Sequence, residues 1–507
     1  MKETINPATA RDSGTKLSSS EEAAIKEFFA KVGLPTDRAL TFQDVTLQEN
    51  YSDIRSRSEI FDFNTRLVGG IKLEIPIVSA NMESVTGINL AAAIEREGGL
   101  AFPPQTLPIK GRLDFIEKLR RADCALIDDP LTIGPDATLG EAKAAMGGFG
   151  IRSLIVVDEK RKPIGILSKR DWFYENGGRA EEKFVRDLMS KKIITAAKGI
   201  GFASASEILK DNKIEKLPLV HGNGILAGLL TANGLFYKFR HPRATRDLNG
   251  RFVCVGSVGV GHDFTAEHLK EVEGQVARGI SVLLIDTARA FSVNTEEAIK
   301  NIKKEFPKLP LVVGNVSTAE GAKFLFEIGA DVVKVGQGPG FACRTRAVGV
   351  GVPQLTAIAR CSVVAARYGK TIIADGGIKS PGDMAKALIA GACAVMLGNV
   401  LARAKESAAP TFVDDDGRPV KNYIGSSSFA AQWERLNRGD LTSIRRPEGV
   451  TQNVPVTGTV KEIIDDLLRG LSSAMAYLGA RNLDELREKG KFVAQTDAGY
   501  IEGVKKG

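Results

Sequence analysis

The sequence predicts an α/β protein built on a (β/α)8 barrel, with a doubly wound parallel sheet as the alternative. Short β-branched runs alternate with longer helical patterns, and most of these runs are continuously apolar, as in parallel strands buried on both faces. Eight such units can be counted, which is the number that closes a barrel of this type. The predicted strands are residues 75–79, 100–102, 252–256, 282–286, 311–315, 332–335, 371–375 and 394–398.

The carboxyl ends of these strands carry polar side chains and glycines, which packing alone does not explain. In a barrel of this type, that face holds the active site. Glycines that alternate after a strand let the backbone approach a ligand, and a thiol just beyond them is a candidate nucleophile. A plain turn with cysteine as a small apolar filler is the alternative. The strand ends are Asp286, Asn315, the 336–343 loop with Cys343, Asp375-Gly376-Gly377 and Gly398.

A long interval separates the second and third predicted strands, far beyond an ordinary connection. It contains a repeat: segments 131–136, 153–157 and 163–171 recur in the same order at 193–195, 216–220 and 225–233. We therefore divide the chain into residues 1–122 as the first part of the barrel, 123–240 as an inserted domain, and 241–507 as the rest of the barrel.

Composition is that of an ordinary globular protein, with 43% hydrophobic and 26% charged residues. The net charge of +8 comes from 69 basic and 61 acidic residues that are interleaved, so we expect no nucleic-acid partner. The absence of a long apolar run or signal core predicts a cytoplasmic protein without a membrane partner. The five scattered cysteines and four histidines show no metal-ligand or disulfide spacing.

An ordered set of motifs resembles the IMP dehydrogenase / GMP reductase family over nearly the whole chain after about residue 40. The motifs are residues 40–45, 81–85, 314–316, 336–345, 373–378, 396–398 and 447–449. The repeated insertion resembles a paired cystathionine-β-synthase-type (CBS) regulatory module. The resemblance implies a (β/α)8 TIM barrel with an inserted tandem CBS domain, and an NAD(P)-dependent oxidoreductase of purine metabolism.

The resemblance also implies the chemistry and the residues. Cys343 would attack C2 of a purine nucleotide monophosphate to form a thioimidate, with Thr345 and Glu448 as a proton relay. Substrate-binding positions would be Met82, Asn315, Asp375, Gly376, Gly377, Gly398, Asn399, Tyr423, Gly425, Ser426 and Ser427. Cofactor positions would be Asp286, Thr287, Gly336 and Gly338, and backbone carbonyls of Gly338, Gly340 and Cys343 would bind a monovalent cation such as K⁺, with no bound ion as the alternative.

Short sequence motifs indicate whether the enzyme oxidises or reduces its nucleotide. Residues 423–438 lack the Arg-Tyr pair that a dehydrogenase carries on its flap, and residues 79–82 and 343–354 resemble the reductase forms. The leading hypothesis is GMP reductase, which converts GMP and NADPH to IMP, ammonia and NADP. The tail at 491–499 looks like a dehydrogenase, so oxidation of IMP to XMP with NAD stays open. Arg289 would favour NADP(H) over NAD(H) if it met a cofactor phosphate, with a surface role as the alternative.

Two departures from the family bear on ligands. Phe341 stands where the family has a phosphate-binding serine, which keeps open a modified nucleotide substrate or a catalytically silent nucleotide sensor. In the insertion, Asp171 ends a Ser-Lys-Arg-Asp motif that would bind the ribose of an adenine or guanine nucleotide, whereas 231–234 lacks the acid. A role in oligomer contacts alone is the alternative there. The family implies a homotetramer or octamer.

Overall fold

The computed structural model describes residues 16–149, 151–173, 180–247, 250–261, 264–437 and 449–503. The chain separates into two compact units, one made of Met1–Leu119, Arg243–Thr245 and Val253–Gly507, the other of Arg120–Pro242 and Arg246–Phe252. The domain division at residues 122 and 240 stays a prediction. Within the described ranges, no helix is both long and apolar enough to cross a membrane.

In chain order the strands are β1 Val45–Leu47, β2 Thr65–Val68, β3 Ile71–Leu73, β4 Ile77–Ser79, β5 Leu126–Ile127, β6 Thr132–Ile133, β7 Ser153–Val157, β8 Pro163–Ser168, β9 Ala196–Ala197, β10 Lys216–Val220, β11 Leu226–Thr231, β12 Val255–Gly259, β13 Val282–Asp286, β14 Leu311–Val316, β15 Val332–Val335, β16 Thr371–Asp375, β17 Ala394–Leu397, β18 Thr411–Val413, β19 Pro419–Ile424, β20 Thr451–Pro455 and β21 Phe492–Ala494.

The α-helices are α1 Ser19–Val32, α2 Ile88–Arg96, α3 Ile109–Arg121, α4 Leu139–Phe149, α5 Val185–Leu188, α6 Phe202–Asp211, α7 Ala232–Arg240, α8 Ala266–Ala277, α9 Val293–Glu305, α10 Ala319–Glu327, α11 Gln354–Arg367, α12 Pro381–Ile389, α13 Asn399–Ala402, α14 Phe429–Asn437, α15 Val460–Leu478, α16 Leu483–Lys489 and α17 Asp497–Gly503.

The first unit is built on a parallel sheet in the order β12-β13-β14-β15-β16-β17-β4. A parallel bridge between Val78 and Leu100 continues this order to the segment around residue 100. Side chains from all eight segments meet in one buried core, which shows that the sheet curls round on itself. They include Val78, Phe102, Val255, Leu284, Val312, Val332, Ile373 and Met396. The predicted barrel fold is confirmed.

The strands of the barrel are continuous apolar runs because both of their faces are covered. All four residues of β15 are buried, including its lysine. Each fully buried valine or isoleucine contributes about 1.5–3 kcal/mol to folding. The helices between strands start at capped ends: Thr318 caps α10, and Ser380 caps α12 with Pro381 at its first position. Strand and cap signals together place the strand ends on one face.

One predicted strand is displaced in the structure. The strand predicted at 252–256 is β12 at Val255–Gly259, three residues further along. Helix α8 explains the glycine within it, because a Cβ on Gly256 would lie 2.7 Å from Gln275 Oε1. The same amide side chain accepts from Ser257 N at 2.9 Å and donates to Ser257 O at 3.0 Å. Gly256, the last residue of the predicted strand, is therefore the second residue of the observed one.

The second unit contains the predicted repeat as two similar halves. In the first, β6 pairs parallel with β7, which pairs antiparallel with β8, and α4 connects β6 to β7. In the second, β9 pairs parallel with β10, β10 antiparallel with β11, and α6 connects β9 to β10. Each half has its own buried core, one around Leu154 and Leu167, the other around Leu217 and Leu230.

Candidate active site

A cavity of about 790 Å³ opens at the carboxyl ends of the barrel strands. The structure brings together there all the predicted barrel-site residues that lie in the described ranges. These are Met82, Asp286, Thr287, Asn315, Gly336, Gly338, Gly340, Cys343, Thr345, Asp375, Gly376, Gly377, Gly398, Asn399, Tyr423, Gly425, Ser426 and Ser427. Glu448 lies outside the described residues, and Asp171 belongs to the second unit. The volume is large enough for ligands of several hundred daltons.

The thiol of Cys343 is exposed at this cavity. Its Sγ lies 3.1 Å from Thr345 Oγ1, so the two groups can exchange a proton. The turn that presents the thiol is closed by a hydrogen bond from Cys343 N to Gly340 O at 3.0 Å. Cys124, Cys254, Cys361 and Cys393 are buried. Cys343 is thus the accessible nucleophile among the five.

Two loops of the rim approach so closely that only glycine fits between them. A Cβ on Gly336, which has φ 156°, would lie 2.0 Å from Asp375 O. A Cβ on Gly376, which has φ 92°, would lie 2.9 Å from Gly340 N. These positive φ angles are unfavourable for residues with a side chain. The thiol loop is therefore seated directly on the loop that follows β16.

A buried ion network forms the floor of the cavity. Lys334 Nζ lies 2.9 Å from Asp286 Oδ1 and 2.7 Å from Asp375 Oδ2. Asn315 Nδ2 donates to Asp375 Oδ2 at 2.8 Å and to Gly336 O at 2.6 Å. Burial alone would lower the pKa of Lys334, but the two carboxylates raise it well above its ordinary value. The lysine is therefore a permanent cation between two carboxylates.

The far end of the cavity is lined by Gly398, Asn399 and Tyr423. The Tyr423 hydroxyl lies 3.4 Å from Met82 Sδ, and burial, with Asp375 and Cys343 nearby, raises the pKa of Tyr423 above its usual range. The phenol therefore stays protonated as a hydrogen-bond donor. The Phe341 ring is 48% exposed, with its centroid 6.4 Å from that of Tyr423. This end combines backbone donors with an aromatic wall.

The thiol loop is also held by hydrogen bonds to the segments around Gly425 and Val450. Val450 N donates to Ala342 O at 3.1 Å, and Gly425 N donates to Val450 O at 3.0 Å. A Cβ on Gly425 would lie 3.0 Å from the Cβ of Ala342, so a side chain there would displace the loop. These bonds place Ser426 and Ser427, which follow β19, beside the nucleophile.

In the second unit, Asp171 acts as a capping residue. Its Oδ2 accepts hydrogen bonds from Ser168 N at 2.5 Å and from Ser168 Oγ at 2.8 Å. In the other half, Thr231 Oγ1 accepts from Gly234 N at 3.0 Å instead. The predicted ribose role of Asp171 is untested and stays a prediction.

The sequence interpretation missed three groups that line or brace the site. Lys334 was read as part of a β-branched run, although a lysine at the centre of a buried strand is itself a signal of a charged partner. Arg403 lines the cavity, and its Nε lies 3.2 Å from Asn399 Oδ1. Gln354 Nε2 donates to Val335 O at 2.9 Å and to Asp375 O at 3.1 Å, which ties two strand ends together. No local motif identifies the last two.

The cavity offers groups that could hold a cofactor or an ion. Asp286 and Thr287 lie at the cavity, where a carboxylate and a hydroxyl fit the ribose of a nicotinamide cofactor. Within the described ranges there is no cluster of three or more metal-ligating side chains. A monovalent cation would need backbone carbonyls, and that of Gly340 already accepts one hydrogen bond from Cys343 N. A carbonyl has a second lone pair, so the predicted cation site is compatible with this turn.

The fold and the rim define a class of protein: a (β/α)8-barrel enzyme with a cysteine nucleophile beside a polar, glycine-lined cavity. The family model described as "IMP dehydrogenase / GMP reductase domain" matches residues 39–505. The chain belongs to this family and is therefore an NAD(P)-dependent oxidoreductase that acts on purine nucleotides.

Similar proteins of both kinds are found within the family. The inosine-5'-monophosphate dehydrogenase of Aquifex aeolicus is 43% identical over 91% of this chain and 94% of its own length. That of Staphylococcus aureus strain Mu50 is 39% identical over 92% and 95%. Among solved structures, a GMP reductase variant from Trypanosoma brucei with guanosine 5'-monophosphate has TM-score 0.83 and 32% identity, covering 94% of this chain and 98% of that one. The GMP reductase of that organism with guanosine 5'-triphosphate has TM-score 0.74 and 30% identity, covering 91% and 98%.

Proposed function

We propose that this protein is a GMP reductase, which converts GMP, NADPH and a proton to IMP, NADP⁺ and ammonia. The observation that carries the proposal is the exposed Cys343 thiol, 3.1 Å from the Thr345 hydroxyl, at a cavity with a carboxylate floor. Its direction is supported by the sequence of the flap, which contains no tyrosine between Tyr423 and Tyr477 and so lacks the Arg-Tyr pair of a dehydrogenase. The likeness to the Trypanosoma brucei GMP reductase structures agrees with this direction.

In the first step, the Cys343 thiolate adds to C2 of the guanine ring. The exocyclic amine leaves as ammonia when it gains a proton, and the C2–S bond remains as a thioimidate. Thr345 is positioned to pass that proton, since its hydroxyl already contacts the thiol. Glu448 would complete the relay as the acid beyond Thr345.

The second step returns the thiolate. A nicotinamide cofactor, when bound, would be the source of the hydride that C2 gains as the C2–S bond breaks, which frees the Cys343 thiolate and gives IMP. Asp286 and Thr287 would hold the cofactor ribose beside the thiol loop. The thiol loop is braced by Gly425 and Val450, which keeps Cys343 at the cavity through both steps.

The nucleotide would lie along the rim from Cys343 to Asn399. Asp375 accepts hydrogen bonds from the ribose hydroxyls, and the N–H groups of Gly377, Gly398 and Asn399 hold the 5'-phosphate. Phe341 contributes no hydrogen bond there. Losing one hydrogen bond to a charged group costs about 1.5–3 kcal/mol, which weakens nucleotide binding by tenfold or more without abolishing it.

Oxidation of IMP to XMP with NAD is the second candidate. It is favoured by the 43% identity to a protein named as an IMP dehydrogenase. This reaction needs a base that activates water for attack on the thioimidate. The flap between Tyr423 and Glu448 offers arginines without a partner tyrosine, which is why we rank it second.

Further proposals concern ligands and assembly. We expect a K⁺ ion at the carbonyls of Gly338, Gly340 and Cys343, and a purine nucleotide at Asp171 in the second unit, which we take to be a tandem CBS domain. We also expect a homotetramer or octamer in the cytoplasm. Titration with K⁺ against Na⁺, calorimetry with ATP and GTP, and sedimentation test these expectations.

The deciding experiment follows nicotinamide absorbance with purified protein. Loss of NADPH in the presence of GMP, with ammonia and IMP as products, is the expected result. Formation of NADH from NAD and IMP would establish the second candidate instead. Failure with both pairs would contradict both.

A further inference from the structure

A buried cation joins the two carboxylates that the proposed function places beside two different riboses. Lys334 on β15 is 3% exposed and contacts Asp286 at 2.9 Å and Asp375 at 2.7 Å. A charge this deeply buried is tolerated only when it is paired, and the two carboxylates provide that pairing. One side chain therefore contacts both the carboxylate proposed for the cofactor ribose and the carboxylate proposed for the nucleotide ribose.

Each carboxylate is held through one oxygen. Asp375 Oδ2 accepts from both Lys334 and Asn315, whereas Asp286 Oδ1 faces Lys334. Among the described residues, no hydrogen bond engages Asp375 Oδ1 or Asp286 Oδ2. With side chains 21% and 19% exposed, these carboxylates have an oxygen available to a ligand at the cavity. Lys334 holds Asp286 Oδ1 and Asp375 Oδ2 and leaves the second oxygen of each carboxylate available to a ligand.

The neighbouring strand makes room for this arrangement. A Cβ on Gly314 of β14 would lie 2.4 Å from the Cβ of Lys334, so any larger residue would push the lysine aside. The next residue, Asn315, is the second donor to Asp375. Strand β14 thus both accommodates Lys334 and completes its contact with the carboxylate.

We propose that Lys334 is a positioning residue that orients Asp286 and Asp375 toward the ribose hydroxyls of the cofactor and of the nucleotide. This inference rests on the proposed function, because it takes the two carboxylates as ribose acceptors. An ammonium group is a compact charge with three donors, so it can serve two carboxylates at once. Lys334 acts through the carboxylates and not on the reacting atoms.

The test is a thermodynamic cycle between Lys334 and the ribose hydroxyls. Lys334→Met keeps an unbranched side chain that is one atom shorter, and it removes the charge. Dissociation constants are measured for GMP against 2'-deoxy-GMP, and for NADPH against an analogue lacking the nicotinamide-ribose 2'-hydroxyl. In the wild type, each missing hydroxyl should cost about tenfold or more in affinity, since it bonds to a charged group. In Lys334→Met, both costs should fall to within about threefold.

Lys421→Met is the matched control. Lys421 is also deeply buried, at 2% exposed, but its Nζ donates to Lys405 O, Ser407 O and Ser407 Oγ, away from both carboxylates. A change that merely weakens the fold should leave the loss of affinity caused by each missing 2'-hydroxyl as it is in the wild type. This control should therefore keep the full tenfold sensitivity at both riboses.

The outcomes separate the two proposals. The positioning role is overturned if a missing 2'-hydroxyl lowers affinity equally in Lys334→Met and in the wild type. Turnover of GMP by the wild type would still support the proposed function. If the wild type oxidises IMP instead, the same cycle is run with 2'-deoxy-IMP and tests the positioning role unchanged. A wild type that binds neither nucleotide overturns both proposals.

A second variant covers a folding failure of Lys334→Met. Lys334→Met combined with Asp286→Asn preserves the net charge of the floor, because one cation and one anion are removed together. The nucleotide arm of the cycle still reports on Asp375 in this protein. A small difference in affinity between GMP and 2'-deoxy-GMP supports the inference, and a difference equal to that of the wild type overturns it.

Discussion

The rim of the barrel and buried positions elsewhere in the protein use the same residue types in opposite settings. At the rim, Cys343 is exposed beside a hydroxyl and Lys334 lies between two carboxylates. Elsewhere, Cys393 is 5% exposed in the barrel core, and Lys421 on β19 lies among neutral oxygens. The consequence is visible in the lysines: carboxylates raise the pKa of Lys334, whereas burial lowers that of Lys421. The surroundings of a cysteine or lysine, and not the residue type, therefore decide whether it is placed for a reaction or only stabilises the fold.

The cysteines give the largest expected contrast. Cys343→Ala should lower turnover by about 10⁴-fold or more, since removal of a nucleophile removes the covalent route. Cys393→Ala should leave turnover within about twofold. Steady-state rates of both variants, with circular dichroism as a check of folding, make the comparison. Comparable loss in the two variants would contradict a special role for Cys343.

Alkylation tests the same contrast in the unmodified protein. Burial raises the pKa of Cys393 to about 11, so its thiol is protonated and covered at neutral pH. Cys124 has its pKa raised to about 11 for the same reason. Iodoacetamide at pH 7 to 8 should label Cys343 at least about tenfold faster than either, as peptide mass spectrometry would show. Labelling of the buried thiols should begin only as the pH approaches 11. Equal labelling at neutral pH would mean that the regions around Cys124 and Cys393 open readily.

Phe341 offers a smaller effect at the rim. Phe341→Ser restores a hydroxyl at the position where the family has one for the phosphate. The KM for GMP should fall by about tenfold with little change in kcat, since one charge-assisted hydrogen bond is gained. Phe341→Ala removes the ring without adding a donor and separates the two effects. A KM that rises in both variants would indicate that the ring itself binds the substrate.

Lys421→Met should have the smallest effect on activity. The change leaves Lys405 O, Ser407 O and Ser407 Oγ without their donor, which costs about 1–3 kcal/mol of unfolding free energy. Turnover at a temperature where the protein is folded should stay within about twofold. Denaturant titration and initial rates measure the two quantities. A large loss of turnover without loss of stability would place this lysine in the mechanism.

The rim was predictable from the sequence because its signals are local. Continuous apolar runs marked the strands, and the residue after each run marked the rim, which is how Asp286 and Asp375 were found. The structure confirms the barrel, but β12 lies three residues beyond its prediction, and the Gln275 side chain from the following helix, α8, occupies the space over Gly256. The bracing by Gln354 and the position of Arg403 depend on contacts between distant segments, which spacing does not encode.

The reciprocal glycines of the rim bear on how such a site can change over generations. Gly336 faces Asp375 O and Gly376 faces Gly340 N, each at a distance that excludes a Cβ. A substitution at Gly336 or Gly376 therefore requires a compensating backbone shift in the facing loop. The nucleophile loop and the loop after β16 can therefore change at these glycines only together, whereas substrate preference is freer to diversify at positions such as Phe341, whose side chain is 48% exposed.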